Sequence, residues 1–247
     1  MQTPTPGLSK AQRSSILSLH RKKGREQAAQ FLVEGPKGVQ EFIEEGWPLE
    51  RLIVRNDSDW ALRPGALVVT PREFAELSTL ESPQGVLGVF RKMDVPPGSG
   101  GWALVLDRVQ DPGNVGTLLR LADWFGVDYV AVPSGTAEVW NPKVVQASMG
   151  ALARVALVHG SPEEVLAQLK GEGRTLYAAD LGGQSPQELP LEVPAALVLG
   201  NEGQGPDVLW TQGSDHILTI PKQSGRKTES LNVATAGAIA LYACISR

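Results

Sequence analysis

The chain has a single cysteine, Cys244, which excludes an internal disulfide and any zinc site built from several thiolates. Cys244 stands in a C-terminal stretch of small residues and reads as a core residue rather than a nucleophile. The three histidines, His20, His159 and His216, are scattered, and none stands in a metal-ligand spacing, so no metal is expected. No apolar run reaches the ~20 residues that a membrane-spanning helix needs. The opening MQTPTPGLSKAQR has no apolar core of the secretory kind, which makes the cytoplasm the expected compartment. A glycine-rich nucleotide fingerprint is missing too. The loop after the strand ending at Asp107 reads RVQDPGNVG rather than Gly-x-Gly-x-x-Gly, which argues against a Rossmann dehydrogenase or methyltransferase.

Excess positive charge is also lacking, since the net charge is −4, but the charge is unevenly spread. Residues 1–100 carry 13 Lys/Arg against 12 Asp/Glu, whereas residues 101–247 carry 10 against 15. Lys10, Arg13, Arg21, Lys22, Lys23 and Arg25 fall in one stretch without an acid, and Lys222, Arg226 and Lys227 form a second cluster. Local patches, not net charge, attract phosphates, so both clusters are candidate phosphate contacts. The tryptophans stand mostly in or beside core strands and do not suggest base-stacking platforms.

At 247 residues and 42% hydrophobic content, the chain can build one large or two modest domains with real cores. Residues 8–30 read as a basic amphipathic helix, followed by a strand at Phe31–Val33 and a helix through Val39, Phe42 and Ile43. Strands at Arg51–Arg55, Ala66–Val69 and Val86–Phe90, with a short helix opened by Pro71, complete a small α/β domain over residues 1–93. The linker is Asp94–Gly101, polar and rich in Pro and Gly. From Trp102 to the end, residues 102–247, strands and helices alternate again: strand Ala103–Asp107, helix Val115–Phe125, strand Tyr129–Val132, helix Pro142–Met149 and strand Val155–Val158. Helix Pro162–Leu169 and strand Thr175–Asp180 follow. The fold class is therefore α/β, a parallel-sheet domain preceded by a smaller α/β domain.

The last fifty residues hold two apolar strands, Ala195–Leu199 and His216–Ile220, each running into a polar loop. Loops at the carboxyl ends of parallel strands are where such folds bind ligands. One loop is Gly200-Asn201-Glu202-Gly203-Gln204-Gly205-Pro206, and the other leads through Ser230 to a helix over Leu231–Ile245, with Ser230 as the expected N-cap.

Three short patterns occur in order: Asn114-Val-Gly-Thr-Leu-Leu-Arg120, Leu199-Gly-Asn-Glu-Gly203, and Ile220-Pro221 leading to Ser230-Leu-Asn-Val233. On these the chain resembles the SpoU (TrmH-type) RNA ribose 2′-O-methyltransferases of the SPOUT class. The resemblance implies S-adenosylmethionine as methyl donor, a deep trefoil knot near residues 195–245, and a homodimer. It also implies that residues 1–93 form an RNA-binding domain similar to a small ribosomal protein, with FLVEGPKGV and PQGVLGVF as landmarks. Carried over residue by residue, Asn114, Arg120, Glu202, Ser230 and Asn232 are the expected catalytic set, with Glu202 in position to salt-bridge Arg120. Ala179, Asp180, Leu199, Gly200, Ile220 and Leu231 are the expected donor pocket. Arg120 lies about 1.7 turns beyond Asn114, not quite on the same helical face. A guanidinium stays protonated, so Arg120 is expected to orient the hydroxyl and stabilise alkoxide charge, leaving the proton to phosphate or water. The stretch Lys222–Glu229 is longer and more basic than the family's usual loop, while its anchors are intact. Ribosomal RNA is the preferred substrate. The alternatives are tRNA, a knotted base methyltransferase, or a catalytically silent RNA-binding protein. For the dimer, Val233, Ala234, Ala238, Ala240, Leu241 and Ala243 are small enough for close helix packing.

Overall fold

The computed structural model describes residues 7–246. The first six residues, part of the segment expected to lack a signal core, lie outside the described residues. The N-terminal elements are α1 (Lys10–Ser18), α2 (Lys22–Ala28), β1 (Gln30–Glu34), α3 (Pro36–Glu44), β2 (Leu49–Arg55), β3 (Ala66–Val69), α4 (Pro71–Leu77) and β4 (Val86–Arg91). They are followed by β5 (Trp102–Leu106), α5 (Pro112–Phe125), β6 (Tyr129–Pro133), α6 (Pro142–Ser148), β7 (Leu157–Gly160), α7 (Pro162–Gly171) and β8 (Thr175–Gln184). The chain closes with β9 (Ala195–Leu199), α8 (Val208–Gly213), β10 (His216–Leu218) and α9 (Val233–Ile245).

The chain divides into two compact units, and the cut falls between Met93 and Asp94. One excursion crosses it: residues 138–153 belong with the first unit, whereas the sequence pattern assigns them to the second. The physical reason is packing. Trp140 lies 4.6 Å, ring to ring, from Phe31 of β1, and the Trp47 indole donates to the Ala153 carbonyl at 2.9 Å.

In the first unit the sheet order is β1-β4-β2-β3, antiparallel at β1/β4 and β2/β4 and parallel at β2/β3. The expected helix over 8–30 is in fact two helices. A Cβ on Gly24 would sit 2.1 Å from the Ser18 carbonyl oxygen, so the chain doubles back tightly between α1 and α2. Arg25 is thereby swung inward and is 2% exposed. It donates from Nε to both Glu138 oxygens at 3.1 Å, and from Nη1 to the Leu19 carbonyl at 2.8 Å. A buried, fully engaged guanidinium cannot meet RNA, so Arg25 leaves the list of expected contacts. Arg13 is half-buried and paired with Glu76, whereas Lys10, Arg21, Lys22 and Lys23 are exposed.

The second unit holds a six-stranded, wholly parallel sheet in the order β10-β8-β9-β5-β6-β7. Strands β5 and β9 are buried at every residue, as central strands covered on both faces must be. At their amino ends the buried Arg174 binds the Gly101 and Ala195 carbonyls (2.9 and 3.2 Å), Asp128 (2.9 Å) and Glu172 (2.6 Å). That pole of the sheet is stapled shut. The opposite pole carries the loops, and the sequence motifs lie there.

Candidate active site

Asp111 caps α5 by accepting from the Asn114 amide at 2.8 Å, and Pro112 takes the first helical turn, where its missing N–H costs nothing. This places Asn114 in the first turn of α5 with its side chain free to leave the helix. Its Nδ2 donates to Glu202 Oε1 at 3.0 Å, and its Oδ1 accepts from Asn232 Nδ2 at 2.9 Å. Asn232 in turn accepts from the Ala234 and Thr235 amides, at 2.9 and 3.2 Å, with its Oδ1.

The direction of this chain is fixed from both ends. A carboxylate only accepts, so Asn114 must present its NH2 to Glu202. Helix amides only donate, so Asn232 must present its oxygen to α9. The amide of Asn232 and the carbonyl of Asn114 are then left facing each other with the right polarity. One line of hydrogen bonds therefore ties all three motifs together.

Glu202 is the anchor of that line. Besides Asn114 it accepts from the backbone amides of Asp111 (3.2 Å) and Gln110 (3.4 Å). Burial works to raise its pKa, but the bonds from Asn114 and from the backbone outweigh it and hold the carboxyl below its ordinary value. The expected salt bridge from Glu202 to Arg120 is absent, because the carboxylate is filled by neutral donors. Arg120 is exposed and makes no hydrogen bond or ion pair among the described residues. It stands at the surface of α5 as an unneutralised cation.

The glycine loop is held by close backbone approach. A Cβ on Gly200 would lie 2.0 Å from the Pro206 nitrogen and 2.1 Å from the Gly205 carbonyl carbon, so only glycine fits. Asn201 closes the turn, accepting from the Gly203 and Gln204 amides at 3.0 and 3.1 Å and donating to the Arg108 carbonyl at 3.0 Å. Sequence reasoning missed this second support. Arg108 takes a left-handed conformation (φ 55°) and leans on Asp107 at 3.3 Å and Asp207 at 3.4 Å. The buried Asp107 Oδ2 also accepts from the Asp207 amide at 2.8 Å. Asp107-Arg108 directly after β5 and Asp207 directly after the glycine turn were the available signal.

Of the expected donor residues, Leu199 ends β9 with Gly200 directly after it, Ala179 and Asp180 lie within β8, and Ile220 and Leu231 stand outside the strands. Ala179 of β8 is the register partner of Leu199 of β9, and the Thr219 hydroxyl just beyond β10 donates to the Asp180 carbonyl at 2.6 Å. Leu199 is buried in the core, so it can offer a ligand only its backbone. Leu181 and Leu231 are exposed at 73% and 47%. Asp180 lies beside the glycine loop, since a Cβ on Gly205 would stand 3.4 Å from its Oδ1.

One expectation fails locally, and a second is narrowed. Ser230 is not the cap of α9: Asn232 is, and Ser230 is exposed in the loop before it. Asn232 wins because its amide reaches two helix amides while its NH2 reaches Asn114, which a hydroxyl two residues earlier cannot do. Of the small residues of α9 expected to pack on a partner, Ala238 and Ala243 are half-buried, and the other four are not free. Val233, Ala234, Ala240 and Leu241 are buried within the chain, and Gly237 packs so closely on Leu118 that a Cβ would come within 2.6 Å of it. Lys222, Arg226 and Lys227 are exposed, in a stretch exposed at every residue from 221 to 232.

Residues 101–242 match the model of the SpoU rRNA methylase family, and residues 14–88 match that of an MRM3-like substrate binding domain. The chain is 32% identical over 229 residues to the 23S rRNA (guanosine(2553)-2′-O)-methyltransferase RlmP of Bacillus subtilis, covering 91% of this chain and 92% of that one. Among solved structures, a TrmH-family protein from Porphyromonas gingivalis superposes with a TM-score of 0.86 at 40% identity, covering 98% and 99% of the two chains. The SpoU methyltransferase AviRb from Streptomyces viridochromogenes, in complex with AdoMet, superposes with a TM-score of 0.85 at 27% identity, covering 96% and 98%.

Proposed function

The chain belongs to the SpoU rRNA methylase family, and from that premise we propose that it methylates a ribose 2′-hydroxyl of ribosomal RNA at the site built around Asn114, Arg120, Glu202 and Asn232. It is an S-adenosylmethionine-dependent RNA 2′-O-methyltransferase. The observation that carries the site assignment is the hydrogen-bonded line Glu202–Asn114–Asn232, with Arg120 left unpaired on the same helix. The donor supplies an electrophilic methyl group on sulfur. The residues that would hold it are Ala179, Asp180, Gly200, Ile220 and Leu231, with Leu199 contributing backbone.

Arg120 has the chemistry for the acceptor side. Its guanidinium cannot take a proton, but it can hold the 2′-hydroxyl and a neighbouring phosphate and stabilise charge developing on the ribose oxygen. Asn114 is fixed by bonds on both faces and sets the start of the helix that carries Arg120. Ser230 and the basic stretch through Lys222, Arg226 and Lys227 are exposed next to Asn232 and suit contact with RNA backbone.

Residues 1–93 serve as the RNA-delivering domain in this reading, 94–101 as linker and 102–247 as the catalytic domain. The contacts of 138–153 make the N-terminal part dependent on a piece of the C-terminal one. The RNA face of α1 and α2 is carried by Lys10, Arg21, Lys22 and Lys23, with Arg13 at its edge. The return from β9 past β8 to β10 and then α9 is the segment we assign to the trefoil knot.

We further assign a homodimer, formed through the face of α9 that the fold leaves open. Ile239 and Tyr242 are 41% and 65% exposed there, and Trp124 on the adjoining α5 is 84% exposed. The protein acts in the cytoplasm, where ribosomal RNA is available; no described helix is long and apolar enough to cross a membrane.

The test is nucleotide-resolution mapping of 2′-O-methyl groups after incubation of the purified chain, donor and ribosomal RNA, with Arg120→Ala beside it. A single methylated ribose is expected from the native chain. The variant should lose turnover by about 10²–10³-fold, as for removal of one oxyanion donor, with donor affinity within a few-fold. A methylated base, or near-normal turnover in Arg120→Ala, overturns the reading.

A further inference from the structure

Residues 138–153 leave one compact unit, complete the core of the other, and return. Both junctions in the second unit are fastened to the machinery around Asn114 and Arg120. At the entry, the Ala137 amide donates to the Val109 carbonyl at 2.9 Å, and the Thr136 hydroxyl donates to the Leu106 carbonyl. Leu106 and Val109 bound the loop that leads directly into Asn114. At the exit, Arg154 forks onto Asp123 of α5, with bonds of 2.8 and 3.2 Å, three residues beyond Arg120.

In the first unit the same segment is clasped equally firmly. Glu138, the first residue after the entry junction, forms the buried pair with Arg25. Arg25 closely follows the exposed Arg21, Lys22 and Lys23. Burial lowers the pKa of the nearby Lys92, and Glu138 opposes that shift, so the pair sits in a partly dehydrated setting. Trp140 packs on Phe31 and, at 5.7 Å between rings, on Trp47, whose indole binds Ala153, the last residue before the exit junction.

We propose that residues 138–153 are a strap that positions α5, and that the Arg25–Glu138 pair is its clasp. The proposal rests on the reading of Asn114 and Arg120 as the ribose-handling residues. Arg25 and Glu138 touch no reacting atom and act as positioning residues. The chain itself joins the seated strap to residues 136–137 and 154, which bond to the loop before Asn114 and to Asp123, and so bears on the placement of Asn114 and Arg120. Misplacement of a reacting group by about 1 Å costs on the order of 10²-fold in rate, so even a small slackening should be visible in turnover.

Lengthening the tethers tests this without removing a contact. Four residues, Gly-Ser-Gly-Ser, are inserted between Ala137 and Glu138 and again between Ala153 and Arg154 in the full chain. Packing inside each unit is unchanged, so thermal stability should stay near that of the native chain. The expected result is a fall in kcat of at least tenfold, with Kd for donor and for RNA within threefold. Amide exchange in the first turns of α5 should also be faster. A kcat within twofold of the native value overturns the proposal, and so does a loss confined to RNA affinity, which would mean simple delivery. If the native chain itself methylates no ribose, the activity reading fails. The exchange of α5 then still decides the strap: unchanged exchange sinks it and faster exchange sustains it. A Glu138→Gln variant adds a second readout: turnover should fall further than donor or RNA affinity, and unchanged turnover counts against the clasp.

Discussion

Replacing Asn114 by aspartate tests the directed line of hydrogen bonds with almost no change of shape. The new carboxylate faces Glu202 Oε1 across what is now a 3.0 Å hydrogen bond. Two unit charges at that separation repel by about 1.4 kcal/mol in a water-like medium and about 5.5 kcal/mol at an effective dielectric of about 20. Glu202 is only partly buried, so the cost should lie toward the lower end, about 2 kcal/mol. The Asn232 NH2 can still donate to the new carboxylate, so the damage is confined to one link. Adding Glu202→Gln supplies an amide donor to that carboxylate and removes the repulsion. The cycle of native, Asn114→Asp, Glu202→Gln and the double variant should therefore show favourable coupling of at least about 1 kcal/mol. Thermal unfolding reads the stability side, and single-turnover methyl transfer to ribosomal RNA reads the positioning side. A pH scan adds a sign. The Glu202 carboxyl is lowered in the folded chain, so its contribution is complete above the ordinary carboxylate range, about 4.3, and is lost as pH falls through the lowered value. Glu202→Gln should remove that part of the acid loss. Coupling below about 0.5 kcal/mol, or a double variant no better than Asn114→Asp alone, would refute the directed line.

Two other outcomes concern partners. Changing Lys222, Arg226 and Lys227 together to Glu should weaken RNA binding and flatten its salt dependence by about 2 in the slope of log K against log salt, at about 0.7 per phosphate contact, while donor titration stays unchanged; an unaltered slope would make the stretch an idle surface. Ile239→Asp with Tyr242→Asp should convert a dimer to a monomer in light scattering, and a native chain that is monomeric and active at micromolar concentration would remove the dimer altogether.

Much of the fold was legible because burial writes itself into residue type. Ala103–Leu106 and Ala195–Leu199 are unbroken apolar runs, and both are central strands. The start of α5 was announced by Asp111-Pro112, an acid that caps followed by a proline that fits only the first turn. What escaped depends on three-dimensional approach. Nothing in KAQRSSILSLHRKKGREQ says that Gly24 will meet the Ser18 carbonyl, yet that meeting splits the helix and buries Arg25. Likewise Val139, Trp140, Val144 and Val145 declare that 138–153 is buried without declaring against which unit. Strand β10 stops at Leu218 because the Thr219 hydroxyl turns aside to Asp180 and accepts from the Gly183 amide at 2.7 Å.

The site shows the same division between residue type and partner. Asn114, Glu202 and Asn232 were legible as neighbours, but which atoms they share was not, because partnership depends on which polar atom faces which. An acid and an arginine in two motifs invite a salt bridge on charge alone. The folded chain satisfies Glu202 instead with Asn114 and two backbone amides, which leave its negative charge in place but already surrounded by donors. That choice matters for an enzyme that handles RNA. Had Glu202 neutralised Arg120, an incoming phosphate would have had to displace a carboxylate before it could bind. With the carboxylate occupied elsewhere, the guanidinium stands unpaired with its full charge, open to the ribose and phosphate proposed for it, and the same acid that could have quenched it holds the start of the helix that carries it.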